Sequence, residues 1–208
     1  MIPVKILATR VIANAAPGLR MGLGAPVGYP SLGLITTDCD DATYIALDAA
    51  TKAADVRVCY ARSFYAGAGN ATTPNAGEVI GVLAGANPET LKSGMEAAIA
   101  TLQRVGFEEV NGVPFLAYTV SSVGSFLAEE AGVRPGMAVA YLIAPPLEAL
   151  YGLDGALKAA EVKLCKLYNP PSETNFGGGL LSGTQSACEA ACKAFADRVR
   201  EVAERSRL

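Results

Sequence analysis

Hydrophobic and polar residues follow two periods along the first half of the chain, and these periods predict an ordered set of strands and helices. Short runs rich in β-branched and apolar residues predict strands, whereas apolar residues at three- and four-residue spacing predict helices. The predicted order is strand, strand, helix, strand, strand, helix, over residues 4–13, 31–36, 42–54, 56–60, 78–84 and 89–104.

The second half of the chain repeats this order. Its predicted elements cover residues 113–122, 138–144, 147–160, 162–168, 178–182 and 186–205. Strands placed before, between and after helices in each half of the 208 residues predict α+β domains, with helices packed on a sheet. Gly106, Gly112 and Pro114 mark a predicted linker between the halves.

The two halves also share sequence, which indicates an internal duplication. Residues 47–59 and 153–165 are identical at eight of thirteen positions, at an offset of 106. Residues 81–85 match 179–183 at an offset of 98, and Ala8 and Val11 match Ala117 and Val120 at an offset of 109. We therefore predict two tandem domains, residues 1–108 and 109–208.

Composition and charge restrict the function. Apolar residues make up 51% of the chain and charged residues 18%, which predicts a folded core rather than disorder. Histidine, the commonest general base and metal ligand, is absent, and the net charge of −3 provides no basic surface for nucleic acid or an anionic membrane. Five unevenly spaced cysteines favour a reducing cytoplasm, and we expect neither a leader nor a membrane span.

An acidic cluster follows the second predicted strand. Asp38, Asp40 and Asp41 could gather a hard cation or an amine. The simpler interpretation is that at least one of them caps the following helix and meets the positive end of its dipole. The second half has Pro145 and Pro146 at this place, so any function of the cluster would belong to the first half.

Other chemical motifs are incomplete. Gly67 and Gly69 lack the third glycine of a dinucleotide fingerprint and the Gly-Lys-Ser/Thr of a phosphate loop, so we predict no cofactor. Cys188 and Cys192 have the spacing of a helical metal pair, but no further ligands accompany them and we expect buried thiols and no metal. With no nucleophile or metal motif, we predict that the protein is not an enzyme and has no catalytic residues.

Two paired features recur in both halves. Asp48/Lys52 and Asp154/Lys158 have the i,i+4 spacing of helical ion pairs, which can simply form a solvated helix face. Loops at residues 61–76 and 169–176 interrupt the predicted sheets at equivalent places and mix aromatic, small and hydroxyl residues. Such long loops are often functional, although they can also be surface connections without a role.

Several of these segments resemble a known family. LGLI at 32–35, DAATKAADV at 48–56 and KSGM at 92–95 resemble bacterial microcompartment shell domains. ARSFYAGA at 61–68, APPLEA at 144–149 and PSETNF at 171–176 are similar to the ethanolamine-utilisation shell proteins. The segment SSVGSF at 121–126 departs from that family's usual Ser-Arg-Thr-Gly-Ser-Tyr.

The resemblance implies a structural shell protein in the cytoplasm. It implies two tandem, circularly permuted microcompartment domains, each a small, mainly antiparallel sheet with packed helices. Three chains would form a pseudo-hexagonal homotrimer that meets other shell proteins edge to edge, with Lys52 and Lys158 at the tile edges.

The resemblance also implies two kinds of pore. Loops 61–76 and 169–178 would surround a gated central pore for metabolites or cofactors. The implied gate residues are Phe64, Tyr65, Gly67, Gly69, Glu173, Thr174, Asn175 and Phe176. A smaller pore in each subunit would bind ethanolamine through Asp41, Glu78 and Phe107. The alternative function is an amine-binding sensor that does not assemble into a shell.

Overall fold

A computed structural model of the chain describes residues 1–64, 79–170 and 175–207. Its first elements are β1 (Ile6–Ile12), α1 (Pro17–Gly22), β2 (Ser31–Thr37), α2 (Asp40–Ala53), β3 (Val56–Ser63), β4 (Val79–Gly85) and α3 (Pro88–Leu102). They are followed by β5 (Glu108–Val110), β6 (Val113–Val120), α4 (Ser125–Ala131), β7 (Ala138–Ala144), α5 (Pro146–Ala159), β8 (Lys163–Tyr168), β9 (Gly177–Gly183) and α6 (Gln185–Glu204). Among the described residues, no helix is both long and apolar enough to cross a membrane.

The chain divides into two compact units. The first unit consists of Pro3–Val105 together with the short segment Gly124–Leu127. The second unit consists of Met1–Ile2, Gly106–Val123 and Ala128–Leu208. Each unit therefore includes a few residues that are distant in sequence from the rest of it.

In the first unit, four antiparallel strands form a sheet in the order β1-β2-β4-β3. Alternate residues of the central strands face α2 and α3, and a Cβ at Gly81 would lie 2.7 Å from Leu47 of α2. The other face of the sheet buries Leu32 and Val82 beside Ala15. Glycine at position 81 therefore permits the close packing of α2 on the sheet.

The second unit repeats this arrangement with one additional strand. Its antiparallel sheet has the order β5-β6-β7-β9-β8, and α5 and α6 pack together on it. Their core includes Phe115, Leu142, Leu153 and Phe195, which are all buried. The predicted α+β class, with antiparallel sheets and packed helices, is confirmed.

The edge strands β3 and β8, which are equivalent in the two sheets, carry a bulge at the same place. The pairing of β3 with β4 skips one residue between Val58 and Tyr60. The pairing of β8 with β9 skips one between Leu164 and Lys166. The extra residues, Cys59 and Cys165, are 106 apart, so the duplication extends to an irregularity of the backbone.

The structure corrects the predicted register of the first strands. Ile12 lies opposite Leu32, and Val120 lies opposite Val139. The position of Leu32 in its pairing with β4 is equivalent to the position of Val139 in its pairing with β9. The equivalent residues Ile12 and Val120 are 108 apart, one fewer than the offset of 109 suggested by Ala8 and Ala117.

The predicted linker is largely a hairpin. Val110 pairs with Val113 across Asn111 and Gly112, whose φ values are 49° and 80°. Positive φ at both central residues is the condition for a type I′ turn, which matches the twist of the flanking strands. The short helices α1 and α4 were likewise not among the predicted elements, because six or seven residues carry too little periodicity.

Candidate functional site

The acidic cluster lies at the start of α2. This helix begins at Asp40, and Cys39 occupies the N-cap position without a side-chain hydrogen bond to the helix. Asp38 accepts a hydrogen bond from the Lys5 backbone N–H at 2.8 Å, while Asp40 and Asp41 lie buried in the first turn. The aspartates therefore do not occupy the cap position, and two of them meet the positive end of the helix dipole.

Burial affects the ionisation of Asp40 and Cys39. Desolvation raises the pKa of Asp40 above its usual value, against the opposing effect of a hydrogen bond from Ser63. Asp40 Oδ1 also accepts the Asp41 backbone N–H at 2.9 Å. Burial likewise raises the pKa of the Cys39 thiol, so this cysteine stays protonated at neutral pH.

The raised pKa of Asp40 predicts a pH-dependent effect of its replacement. The folded protein holds this proton to a higher pH than the unfolded chain, so stability falls as pH rises through the folded-state pKa. Asp40→Asn should remove that loss, so its stability relative to wild type should increase from about pH 4 to pH 7. Urea denaturation across this range measures the difference, with the exposed Glu129→Gln as control; a difference that does not change with pH would contradict the prediction.

Few of the predicted gate residues lie in the described part of the chain. Tyr65, Gly67, Gly69, Glu173 and Thr174, and also Glu78 of the predicted small pore, are outside the described residues. Phe64 directly follows β3 and is exposed. Asn175 has a left-handed backbone conformation, with φ of 64°, just before β9.

Two predicted pore residues of the second unit are in contact. The rings of Phe107 and Phe176 meet edge to face, with centroids 5.6 Å apart. The Phe107 carbonyl accepts a hydrogen bond from the Ile2 N–H at 2.6 Å. Phe107, predicted for the small pore, thus supports Phe176, predicted for the gate, whereas Asp41 belongs to the first unit.

The two predicted edge lysines have different surroundings. Lys52 Nζ lies 3.5 Å from Asp48 Oδ2, and the Asp48 side chain is 0% exposed. Lys158 Nζ lies 2.7 Å from Asp154 Oδ2, and the Asp154 side chain is 56% exposed. The solvated-face interpretation therefore describes the second pair but not the first.

Asp48 has a structural role that the sequence interpretation missed. Its carboxylate accepts hydrogen bonds from the backbone N–H groups of Gly124 and Leu127, at 2.8 and 2.9 Å, within the first unit. The neighbouring Thr51 hydroxyl accepts the Ser125 N–H at 3.1 Å. The one sequence signal was a carboxylate among apolar residues on α2, since the partners lie more than seventy residues away.

The candidate metal ligands are not assembled. No group of three or more His, Cys, Asp or Glu side chains that could hold a metal occurs in the described parts of the chain. Cys188 and Cys192 are buried, as expected, and burial raises the pKa of Cys192 to about 11. Both thiols are therefore neutral core side chains at physiological pH.

Comparisons with known proteins identify the family. A family model described as the BMC domain matches residues 31–114. The bacterial microcompartment shell protein EutL of Clostridium perfringens is 53% identical over 207 residues, which cover 98% of this chain and 95% of that protein. The chain belongs to the EutL family of bacterial microcompartment shell proteins.

Other EutL proteins match nearly the whole chain as well. EutL of Salmonella typhimurium is 46% identical over 98% of this chain and 94% of its own length. Crystal structures of EutL from C. perfringens and Leptotrichia buccalis both match with a TM-score of 0.95, at 53% and 50% identity. Each covers 99% of this chain, and this chain covers 95% and 96% of theirs.

Membership of the EutL family confirms several predictions. The family and its BMC-domain fold are those expected from the sequence, and the relatives are shell proteins rather than enzymes. The roles given to the gate, small-pore and tile-edge residues stay predictions.

Proposed function

We propose that this EutL family member is a trimeric shell tile with a gated central pore. The chain would consist of two tandem, circularly permuted shell domains, residues 1–108 and 109–208, so that three chains supply six domains around a threefold axis. The observation that carries the proposal is the repeated unit, with the same strand order and the same bulge in both copies. The BMC-domain match begins at Ser31, the first residue of β2, which leaves β1 before it and supports the permutation.

The central pore would be gated by the connections from β3 to β4 and from β8 to β9. These connections occupy equivalent positions in the two units and carry Phe64 and Phe176 at their described ends. Aromatic rings can fill a constriction, and the glycines at 67 and 69 permit alternative backbone conformations. Opening of this gate would let metabolites or cofactors pass through the shell.

The smaller pore would take the ammonium group of an amine such as ethanolamine. L. buccalis EutL is an ethanolamine utilization protein, which supports this class of ligand. Asp41 and Glu78 would supply negative charge and Phe107 an aromatic face. Because Phe107 packs on Phe176, an amine bound there can favour one state of the gate, provided that its affinity differs between the two states.

Calorimetry with ethanolamine tests the small pore. Wild type should bind the amine, and Asp41→Asn or Glu78→Gln should weaken binding roughly tenfold or more, since a charge-assisted hydrogen bond contributes about 1.5–3 kcal/mol. Propanol, which lacks the ammonium group, should not bind. Undetectable binding by wild type, or an unchanged affinity of Glu78→Gln, would contradict this part of the proposal.

Edge-to-edge assembly would depend on Lys52 and Lys158, of which Lys158 is the more exposed. Electron micrographs of purified wild type should show hexagonal sheets or strips, and Lys158→Ala should lose them while remaining a trimer. Lys193→Ala is the matched control, because Lys193 forms an equally short i,i+4 ion pair with Asp197 and is similarly exposed. Sheets that persist in Lys158→Ala would exclude the edge role, and amine binding without any assembly of wild type would favour the sensor alternative.

A further inference from the structure

One face of α2 is covered by a segment from far along the chain. Within the first unit, the Asp48 carboxylate accepts hydrogen bonds from the N–H groups of Gly124 and Leu127. The Thr51 hydroxyl accepts the N–H of Ser125. Phe126 packs on Tyr44, with ring centroids 6.0 Å apart. The contact thus combines a buried carboxylate, a hydroxyl and an aromatic pair.

The equivalent face of α5 is exposed to solvent in the single chain. Helix α5 has the same length as α2 and lies 106 residues further on, so Asp154 corresponds to Asp48 and Leu157 to Thr51. Leu147, Leu150 and Leu157 are exposed and lie on the same face of α5 as Asp154, whereas Tyr151 contacts Arg198 and Glu201 of α6. A row of apolar side chains around a half-exposed carboxylate is typical of a surface that another protein segment covers.

The first unit contains the counterpart of the covering segment. The Ala15 N–H donates to Pro30 O as the Val123 N–H does to Met137 O, both at 2.9 Å, and α1 begins 108 residues before α4. Residues 16–19 therefore correspond to residues 124–127. Leu127 is 1% exposed, whereas its counterpart Leu19 is 46% exposed, and no described side chain caps the start of α1.

The two faces and the two segments differ in a complementary way. Ser125 donates its N–H to the Thr51 hydroxyl. At the corresponding positions, Pro17 has no N–H to donate and Leu157 has no hydroxyl to accept one. Compared with Ser125 and Thr51, Pro17 lacks the donor and Leu157 lacks the acceptor. This joint absence is expected of two residues that meet in an apolar contact.

We infer that residues 16–19 of one copy of the chain dock on the α5 face of a second copy. Asp154 accepts the N–H groups of Ala16 and Leu19, and Pro17 packs on Leu157. A Cβ at Gly124 would lie 2.7 Å from the Asp48 carbonyl oxygen, so Ala16, which has a Cβ, must stand further from α5 than Gly124 does from α2. The contact is head to tail, so it can close a ring; it rests on the proposed trimer and identifies the joint between its chains.

Charge placed at the joint tests this inference. Leu19→Asp should raise the dissociation constant of the trimer roughly tenfold or more, measured by light scattering over a dilution series. Met21→Asp is the control, because Met21 is exposed on the same helix and corresponds to Glu129, which stays exposed. Circular dichroism should show that both variants fold like wild type.

A double replacement tests the complementary pair without adding charge. Pro17→Ser and Leu157→Thr should each weaken the trimer, and the double variant should recover affinity because the new N–H meets the new hydroxyl. An unchanged trimer dissociation constant in Leu19→Asp, or no recovery of affinity in the double variant, would overturn the inference. Neither result would contradict the proposed trimer. A wild-type chain that remains monomeric would instead refute the proposed function itself.

Discussion

Replacing Asp48 by alanine is expected to lower the free energy of unfolding by about 2–5 kcal/mol, because two buried backbone N–H groups lose their acceptor. Those groups belong to Gly124 and Leu127, and the carboxylate that serves them is itself fully buried. The loss of the ion pair with Lys52 adds little, since Lys52 remains partly exposed. Asp48→Asn should be milder, because its amide oxygen can still accept one of the two hydrogen bonds.

Asp154→Ala is the matched control for this prediction. Asp154 occupies the equivalent position on α5, but its side chain is half-exposed and pairs with Lys158. Within the chain its loss should change stability by less than about 0.5 kcal/mol. Urea denaturation at two protein concentrations separates this effect from that of assembly, which depends on concentration. Equal losses in the two variants at both concentrations would contradict the structural role of Asp48.

Gly178→Ala is expected to have the second large effect, a loss of more than about 4 kcal/mol that leaves little folded protein. A Cβ at this position would lie 1.9 Å from the Leu142 carbonyl oxygen, and backbone atoms of a central strand cannot move away. The φ of 155° is also one that residues with side chains rarely adopt. Soluble yield and a thermal melt followed by far-UV circular dichroism measure the loss.

Gly22→Ala is the control for this substitution. Gly22 ends α1, its φ is not positive, and nothing lies within 4 Å of a Cβ built there. Its replacement should leave stability within about 1 kcal/mol of wild type, with a small gain from reduced freedom of the unfolded chain. If Gly178→Ala melted at the same temperature as Gly22→Ala, the close approach of β9 to β7 at this position would be contradicted.

The sequence predicted the long elements because their patterns are local. Helices α2 and α5 each carry apolar residues at helical spacing, and the repeat of residues 47–59 at 153–165 made the two predictions support each other. The hairpin at Asn111 and Gly112 had a strong local signal, but its glycine was interpreted as part of a linker. Helices α1 and α4 are too short for such signals.

The contacts of the candidate site depend on residues distant in sequence. The i,i+4 spacing correctly placed Lys52 beside Asp48, yet the hydrogen bonds to Gly124 and Leu127 could not be inferred from spacing. The same holds for Phe107 and Phe176, whose rings meet although they are 69 residues apart. Local periodicity fixes which face of an element is apolar, but not which distant segment covers it.

The solution mass of the wild-type chain tests the central claim most directly. If three chains supply six units to one tile, light scattering at micromolar concentration should give about 64 kDa, three times the chain mass of 21.3 kDa. A mass of 21.3 kDa that does not change with concentration would contradict the trimeric tile.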